Sequence, residues 1–423
     1  MAHFFAVLLC CVAQTKDSTE LLAESGRDYP ETRLFTACQA KLTAADTQYL
    51  VVGGFTDTGQ GDVSDVLVYS VDSKGAALQW RTMWKGDIRS SIRTLRAADL
   101  DGDGRDEIIV LGRMGDEDVS GEGELKVLGV RNGALGVLDA VHWQSGKYTH
   151  GYGMAIGDVD GDGKPEITSG GFFSDGKHEH AEVRVWRFRA GKIELVARTD
   201  WGELGETRIN AVDVGDIDGD GRLEIFTAGR TGQVKNEKGE TTDEQGELTA
   251  WRLDGDKLNR FATHEWVKNG PSRFRELKAC DVNGDGKLEV FAAGRFGNDQ
   301  HPYMGLFQVK PEGFQLASEP RWEKGRLGEI RDVQFHGRGN SFRVVTIGAD
   351  GVKPNRQGQM RTWKLAGPRH DMVEDWRSAH TDENRVRQLV LWHDKEVIEL
   401  ITAGFVREGN QIIGQIVRWG KMP

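Results

Sequence analysis

Proline is scarce in this chain, 9 of 423 residues, and no Pro-rich, Ser-rich or low-complexity tract interrupts it. Nothing reads as an interdomain linker, so a length that would ordinarily suggest two or three domains comes without a boundary between them. Cysteine is sparse too, at four. Cys10 and Cys11 are adjacent near the start, and Cys38 and Cys280 are far apart, so no disulfide framework is read; the last two are taken as small buried residues. The apolar run Phe4–Ala13 is too short to cross a bilayer. No basic run of the kind that grips nucleic acid occurs, and no Gly-x-Ser-x-Gly, Walker or Cys-x-x-Cys motif, which leaves serine-hydrolase, nucleotide and zinc-finger readings without support. Glycine, by contrast, reaches 55 residues, as many tight turns between short strands require.

What the chain does have is one acidic loop written four times. It reads D-L-D-G-D-G-R-D-E from Asp99, D-V-D-G-D-G-K-P-E from Asp158, D-I-D-G-D-G-R-L-E from Asp216 and D-V-N-G-D-G-K-L-E from Asp281. The first aspartates are 59, 58 and 65 residues apart, a period that points to repeated units. Carboxylate or amide oxygens fall at positions 1, 3, 5 and 9: Asp99, Asp101, Asp103 and Glu107; Asp158, Asp160, Asp162 and Glu166; Asp216, Asp218, Asp220 and Glu224; Asp281, Asn283, Asp285 and Glu289. Position 7, the backbone position of such loops, is Arg105, Lys164, Arg222 and Lys287. Hard oxygen donors around a small space suit Ca²⁺, and four calcium ions are expected. The net charge of −11 belongs mostly to these loops; without their fifteen carboxylates the balance turns to about +4, so acidity says little about partners.

The flanks decide the setting. An EF-hand would need helices and a Glu at position 12, but Ser169, Thr227 and Ala292 stand there. The segments on either side, such as Glu224-Ile-Phe-Thr-Ala-Gly-Arg, are short β-branched or apolar runs ended by glycine, so each loop is a turn between strands. A third strand recurs as Glu182-Val-Arg-Val-Trp and Glu247-Leu-Thr-Ala-Trp, and a fourth ends on Trp84, Trp143, Trp201, Trp266, Trp322 and Trp376, read as packing between units in preference to ligand stacking. Three more units keep the strand pattern without the acidic loop, giving seven. The last lacks its fourth strand, and residues 19–25 match one. The expected fold is therefore all-β: a seven-bladed β-propeller of four-stranded blades, with the N-terminal strand completing the last blade. Blades are placed at about 32–92, 93–149, 150–207, 208–272, 273–328, 329–384 and 385–423 plus 19–25. The units without ligands, carrying Lys41, Thr43 and Ala45, Phe335, Gly337 and Gly339, and Leu391, His393 and Lys395 at the aligned positions, adjoin across the closure.

These loops and strand ends resemble the FG-GAP or VCBS repeats of integrin-alpha-type propellers, over residues 19–423. The resemblance implies calcium bound at the D-x-D-x-D-G loops. It implies no single activity, because the family spans adhesion receptors, lectins and polysaccharide lyases.

Strand order puts the acidic loops on one face and the longest variable loops on the other, where function tends to concentrate. Among them, Arg230–Gly246 carries Lys235, Lys238, Asp243 and Glu244, read as solvated. Inter-blade linkers deliver Arg33, Arg93, Arg208, Arg273 and Arg385 to the start of the innermost strand, with His150 and Glu329 in the other two blades and Arg275, Arg331 and Arg387 close behind. This set predicts either a cationic mouth for carboxylates or sulfates, or a series of latches between blades. The favoured function is a calcium-stabilised binding module for a glycan or protein ligand, with Arg33, Arg93, His150, Arg208, Arg273 and Arg385 at the ligand. The alternative is a polysaccharide lyase acting on uronic-acid polymers, with His150, Tyr152 and Arg208 in catalysis and Tyr148, His301, Tyr303, His178 and His180 nearby. Residues 1–13 look like a short secretory leader cut after Ala13, though no Lys or Arg precedes the run; Leu9 disfavours a lipid anchor at Cys10. A secreted or extracytoplasmic monomer is expected, with no nucleic-acid partner and no membrane span.

Overall fold

The structure, a computed structural model, describes residues 20–86, 89–116, 120–202, 205–233, 244–266, 270–297, 301–310, 313–319, 328–337, 342–350, 357–366, 369–377, 385–394 and 397–421. The segment expected to be a leader, with Cys10, Cys11 and Ala13, and also Thr19, Lys235, Lys238, Asp243, Trp322, Gly339 and Lys395, lie outside the described residues. The fold is all-β, and no described helix is long and apolar enough to cross a membrane.

After β1 (Glu20–Ser25) the strands come in fours. The first unit is β2 (Glu31–Ala40), β3 (Tyr49–Asp57), β4 (Asp62–Asp72) and β5 (Gly75–Trp84). The second is β6 (Ser90–Ala98), β7 (Glu107–Asp116), β8 (Ser120–Arg131) and β9 (Ala134–Trp143). The third is β10 (Tyr148–Gly157), β11 (Glu166–Ser174), β12 (Glu179–Arg189) and β13 (Lys192–Trp201). The fourth is β14 (Glu206–Gly215), β15 (Glu224–Gln233), β16 (Gln245–Asp254) and β17 (Lys257–Trp266). The fifth is β18 (Arg273–Cys280), β19 (Glu289–Phe296), β20 (His301–Lys310) and β21 (Gly313–Ser318). The sixth is β22 (Gly328–His336), β23 (Arg343–Asp350), β24 (Gln357–Ala366) and β25 (Arg369–Arg377). The seventh has β26 (Arg385–Asp394), β27 (Val397–Glu408) and β28 (Gln411–Lys421), and its fourth strand is β1, antiparallel to β28 with Glu20 opposite Arg418 and Ser25 opposite Gly414. Each unit is an antiparallel meander. Single parallel bridges, such as Glu31 to Ile412 and Glu179 to Glu206, join some neighbours at their edges.

Every first strand carries a bulge at the same place. The extra residue is Phe35, Arg93, Tyr152, Asn210, Arg275, Arg331 or Arg387. The bulge explains the recurring glycine of the second strand. A Cβ at Gly54, Gly112, Gly171, Gly229, Gly294, Gly348 or Gly404 would lie only 1.8–2.2 Å from the carbonyl oxygen of Arg33, Ser91, His150, Arg208, Arg273, Glu329 or Arg385. Only glycine leaves room for that backbone. The same contact sets the true register of the units: Ser91, and not Arg93, is the counterpart of Arg33. Between third and fourth strands, Asn132-Gly133 and Ala190-Gly191 take positive φ at both residues, as two-residue hairpins of matching twist require.

The core lies between sheets. Each hydrophobic cluster draws on two successive units: Val68 and Ile92 across the first and second, Leu111 and Met154 across the second and third, Val183 and Ile209 across the third and fourth, Phe226 and Phe274 across the fourth and fifth. Phe291 and Val344 follow, then Val345 and Leu389, and finally Ile416 and Leu34 return from the seventh unit to the first. First strands follow the same succession, β2 touching β6 and so on to β26, which touches β2.

Tryptophans tie the sheets by hydrogen bonds as well as area. The fourth-strand indoles of Trp84, Trp143 and Trp201 donate to Glu124, Glu182 and Glu247 of the next unit at 2.8, 2.7 and 2.9 Å. Trp186, Trp251 and Trp419 donate within their own units to Ser169, Thr227 and Thr402. In the fifth unit Tyr303 takes the acid's place, and Trp266 packs near its ring. Packing and latching is thus the role these rings have.

Glu247 gives this latch a pH dependence. Burial raises its carboxyl to about 7, against the Trp201 hydrogen bond and the nearby Arg260. The native state therefore keeps a proton that the unfolded state releases near its ordinary range. Stability is fully present below that range and falls as pH rises towards 7, by about 3 kcal/mol in all. Glu247→Gln, which keeps an acceptor for Trp201, should raise the melting temperature by a few degrees at pH 8 and leave it unchanged at pH 4, as scanning calorimetry would read.

Candidate functional site

The four acidic loops link first to second strands, at residues 99–106, 158–165, 216–223 and 281–288. Strands flank every one of them, which excludes the EF-hand. Backbone N–H groups converge on the first aspartate: Gly102 and Asp103 donate to Asp99 Oδ1 at 2.7 and 3.1 Å, and Gly104 to Oδ2 at 2.8 Å. Asp158, Asp216 and Asp281 receive the matching bonds from their two loop glycines. Glycines at positive φ, such as Gly102 and Gly104, make that curl possible. The closing glutamate accepts from the residue after the first aspartate: Leu100 to Glu107, Ile217 to Glu224 and Val282 to Glu289, at 3.0–3.1 Å.

Three acidic triads could hold a metal ion: Asp99, Asp101 and Glu107; Asp158, Asp160 and Glu166; Asp216, Asp218 and Glu224, each with oxygens within 4.8 Å of one another. The fourth loop repeats the backbone bonds to Asp281, with Asn283 in place of the second aspartate. The position-5 aspartates stand outside the triads, and each accepts from the backbone N–H at position 7, Arg105, Lys164, Arg222 and Lys287, at 2.8–2.9 Å.

The residues fit a cation. Burial and then Asp160 and Asp162 raise the Glu166 carboxyl above its ordinary value, and its buried Oε2 has no hydrogen-bond partner. Burial likewise raises Glu107 and Glu289. A third-strand arginine answers part of this charge. Arg131 reaches Asp101 and Glu107 at 3.3 and 3.1 Å, Arg187 reaches Asp160 and Glu166, and Arg252 reaches Asp218 and Glu224 at 2.5 and 3.0 Å. Among the described residues no such arginine meets the fourth loop; there Asn283 Nδ2 donates to Glu289 at 3.2 Å. The sequence carried a signal for two of these arginines, since Arg187 and Arg252 directly follow the third-strand tryptophans. Cavities of about 290 and 420 Å³ open beside the first two loops and the third loop.

At the opposite end of the first strands the structure separates the arginine set. Arg208 pairs with Glu179 of the preceding unit, and Arg273 with Glu244 of the preceding unit at 2.6 Å. Arg230 adds contacts to Glu179, Glu206 and Glu244 at 3.3–3.4 Å. The pairs Arg208–Glu179, Arg230–Glu179 and Arg273–Glu244 join neighbouring sheets, and Arg230 meets Glu206 and Glu244 within its own unit. Glu244, read from sequence as a solvated loop charge, is in fact buried at 1 % exposure, because two arginines draw it in. Arg33 pairs with Glu31 on its own strand at 2.5 Å, and Arg385 faces the Phe405 ring. Arg93 belongs to the bulge positions with Arg275, Arg331 and Arg387.

His150 is buried and stacked on Phe172, ring centres 4.8 Å apart. Burial, with Arg113, Arg93 and Arg208 around it, holds the imidazole well below its ordinary value. Neutral His150 accepts from Arg113 Nη1 through Nε2 at 3.1 Å. Tyr152 shows the reverse balance: burial pushes its phenol up, and Arg93, Arg208, Arg275 and Arg113 together bring it below the ordinary value. Tyr148 donates to Glu179 at 3.2 Å, His180 sits 3.3 Å from Asp175, and Tyr303 lies in the core. His178 and His301 do not join them at a common site. The remaining thiols, Cys38 and Cys280, are free, and burial pushes Cys38 up to about 12.

Residues 158–227 match the FG-GAP-like repeat. That segment takes in the second and third acidic loops and the strands between them. No curated protein sequence matches the chain. Among solved structures, Sqt1 from Chaetomium thermophilum aligns at TM-score 0.53 and 13 % identity, over 95 % of this chain and all of that one. A chain of the Chaetomium thermophilum Polycomb Repressive Complex 2 bound to GSK126 aligns at TM-score 0.55 and 9 % identity, over 96 % and 100 %. At such identity the likeness shows the fold alone. A rhamnogalacturonan lyase from Bacillus licheniformis aligns at TM-score 0.48 and 15 % identity, over 90 % of this chain and 71 % of that one, too low to bear on the argument.

Proposed function

We propose that the chain is a seven-bladed β-propeller, secreted or extracytoplasmic, whose acidic loops hold calcium as structural ions and whose opposite face binds a glycan or protein ligand. The observation that carries this reading is the division of labour between the two ends of the first strands. At one end, acidic loops are closed on their own backbone and serve the scaffold. At the other, arginines gather towards the centre of a succession of sheets that returns to its start. Calcium supplies the counter-charge that the triads call for and fixes four turns on neighbouring sheets. The loops of the other face stand over this rigid base.

A glycan array probed with the calcium-loaded chain tests the binding role. The expected result is retention on a defined carbohydrate, lost when Arg93 and Arg385 are both changed to methionine at unchanged melting temperature. The second reading, a lyase on uronic-acid polymers, draws on the depressed phenol of Tyr152 beside several arginines. Against it, His150 is buried, and the nitrogen that would take the proton already accepts from Arg113. Release of an unsaturated product from a uronic polymer, abolished by Tyr152→Phe, would replace the binder with the lyase.

A further inference from the structure

All seven bulged side chains line one cavity of about 130 Å³ on the central axis. One bulge in each first strand, at one register, turns its residue to the same space. Four of the seven are arginines, Arg93, Arg275, Arg331 and Arg387; Tyr152 and Asn210 are polar, and Phe35 alone is apolar. The two sides of the cavity differ. On one, Glu329 answers Arg275 at 3.1 Å and Arg331 at 2.5 Å. On the other, Arg93 and Arg387 are braced by rings. Arg93 lies 5.1 Å from the Phe35 centroid and 5.5 Å from that of Tyr152. Arg387 lies 5.3 Å from Phe35 and 5.2 Å from Phe405. The Nε atoms of Arg93 and Arg387 are buried without a hydrogen-bond partner. Ring contacts hold a guanidinium in place but leave its in-plane donors free for an acceptor.

This charge is otherwise hard to account for. A guanidinium taken out of water without a carboxylate costs several kcal/mol. Two groups register the resulting positive field: burial and the nearby Arg331 and Arg385 hold Arg387 well below the ordinary arginine value, and the arginines draw the Tyr152 phenol down despite its burial. The cavity has one acid in its own lining, Glu276, and burial raises that carboxyl above its ordinary value, so it opposes an anion less than an exposed glutamate would.

We propose that the axial cavity is an oxyanion site, taking one carboxylate or sulfate group between the braced pair Arg93 and Arg387 and the Arg275–Arg331 side. The space is ample for a carboxylate or sulfate group with a few waters. The group is either a free small anion or the charged terminus of a ligand entering from the face opposite the acidic loops. The site rests on the propeller reading above and names the chemistry its face would recognise. Calcium binding and melting test that reading separately, so the two can fail apart.

The test is isothermal titration calorimetry and melting of the full calcium-loaded chain in low-salt buffer, with acetate, sulfate, glucuronate and neutral glucose as probes. One anion per chain is expected to bind and to raise the melting temperature, while glucose does neither. Arg93→Met and Arg387→Met should each weaken binding by about tenfold or more. In anion-free buffer Arg387→Met should keep or raise the melting temperature, because it removes a buried charge that three nearby arginines oppose more than Glu329 answers it; a purely structural arginine would lower it. Glucuronate that competes with acetate assigns the site to sugar-acid termini, and binding of acetate or sulfate without glucuronate assigns it to free ions. No binding of any anion, or binding undiminished in both variants, would overturn the proposal.

Discussion

Calcium at millimolar concentration is expected to raise the melting temperature of the chelator-treated protein by about 10 °C. An ion that binds only the native state at a hundred times its Kd contributes about 2.7 kcal/mol per site. Four sites act on an unfolding entropy of about 0.9 kcal/mol/K for a chain of this length, which gives that shift. Asp218→Ala should remove about a quarter of the rise. Its amide exchange should quicken in β14 and β15 and stay unchanged in the first unit, since each loop clamps its own turn. Arg252→Met should act the other way. It frees Asp218 and Glu224 from the guanidinium that now meets them, so calcium should bind that loop more tightly while the ion-free protein melts lower. Magnesium, which holds its waters and demands octahedral geometry, should shift melting far less.

Removing residues 1–26 should destabilise the protein about as much as losing all four ions. β1 supplies the outer strand of the seventh unit, and Leu22 sits in the cluster between seventh and first units. Arg418 would lose Glu20, and Gln415 would lose Glu24. β28 would become an open edge able to pair with other chains. The expected outcome is a drop of about 10 °C in melting temperature, with aggregation, partly reversed by a synthetic peptide of residues 18–27. As an independent check, cysteines at Glu24 and Gln415, which face each other across the pair, should cross-link under mild oxidation.

The features legible in the sequence were those whose cause is local. An acidic loop takes nine contiguous residues, so the three triads that could hold a metal ion were legible directly, and flanking β-branched runs placed each loop between strands. The position-5 aspartates lie outside the acidic triads, and each accepts the backbone N–H at position 7, a bond that the sequence pattern alone did not reveal. The pairing of β1 with β28 was legible because the seventh unit ran out of chain before its fourth strand. What stayed hidden depends on partners brought from elsewhere. Arg93 looks equivalent to Arg33 when counted from the linker, yet Gly112 faces Ser91, and only the bulge reveals that Arg93 stands with Phe35 and Arg387. The second-strand glycine marks that register in every unit. The acids Glu124, Glu182 and Glu247 carry no signal alone, but two of them fall four residues before a third-strand tryptophan, a spacing that repeats.

The number of calcium ions held by the intact native chain, counted by native mass spectrometry, tests the central claim most directly. The account predicts four ions on the wild-type chain and three on the Asp218→Ala variant. A chain that takes up no calcium, or one whose count is the same with and without Asp218, would contradict it.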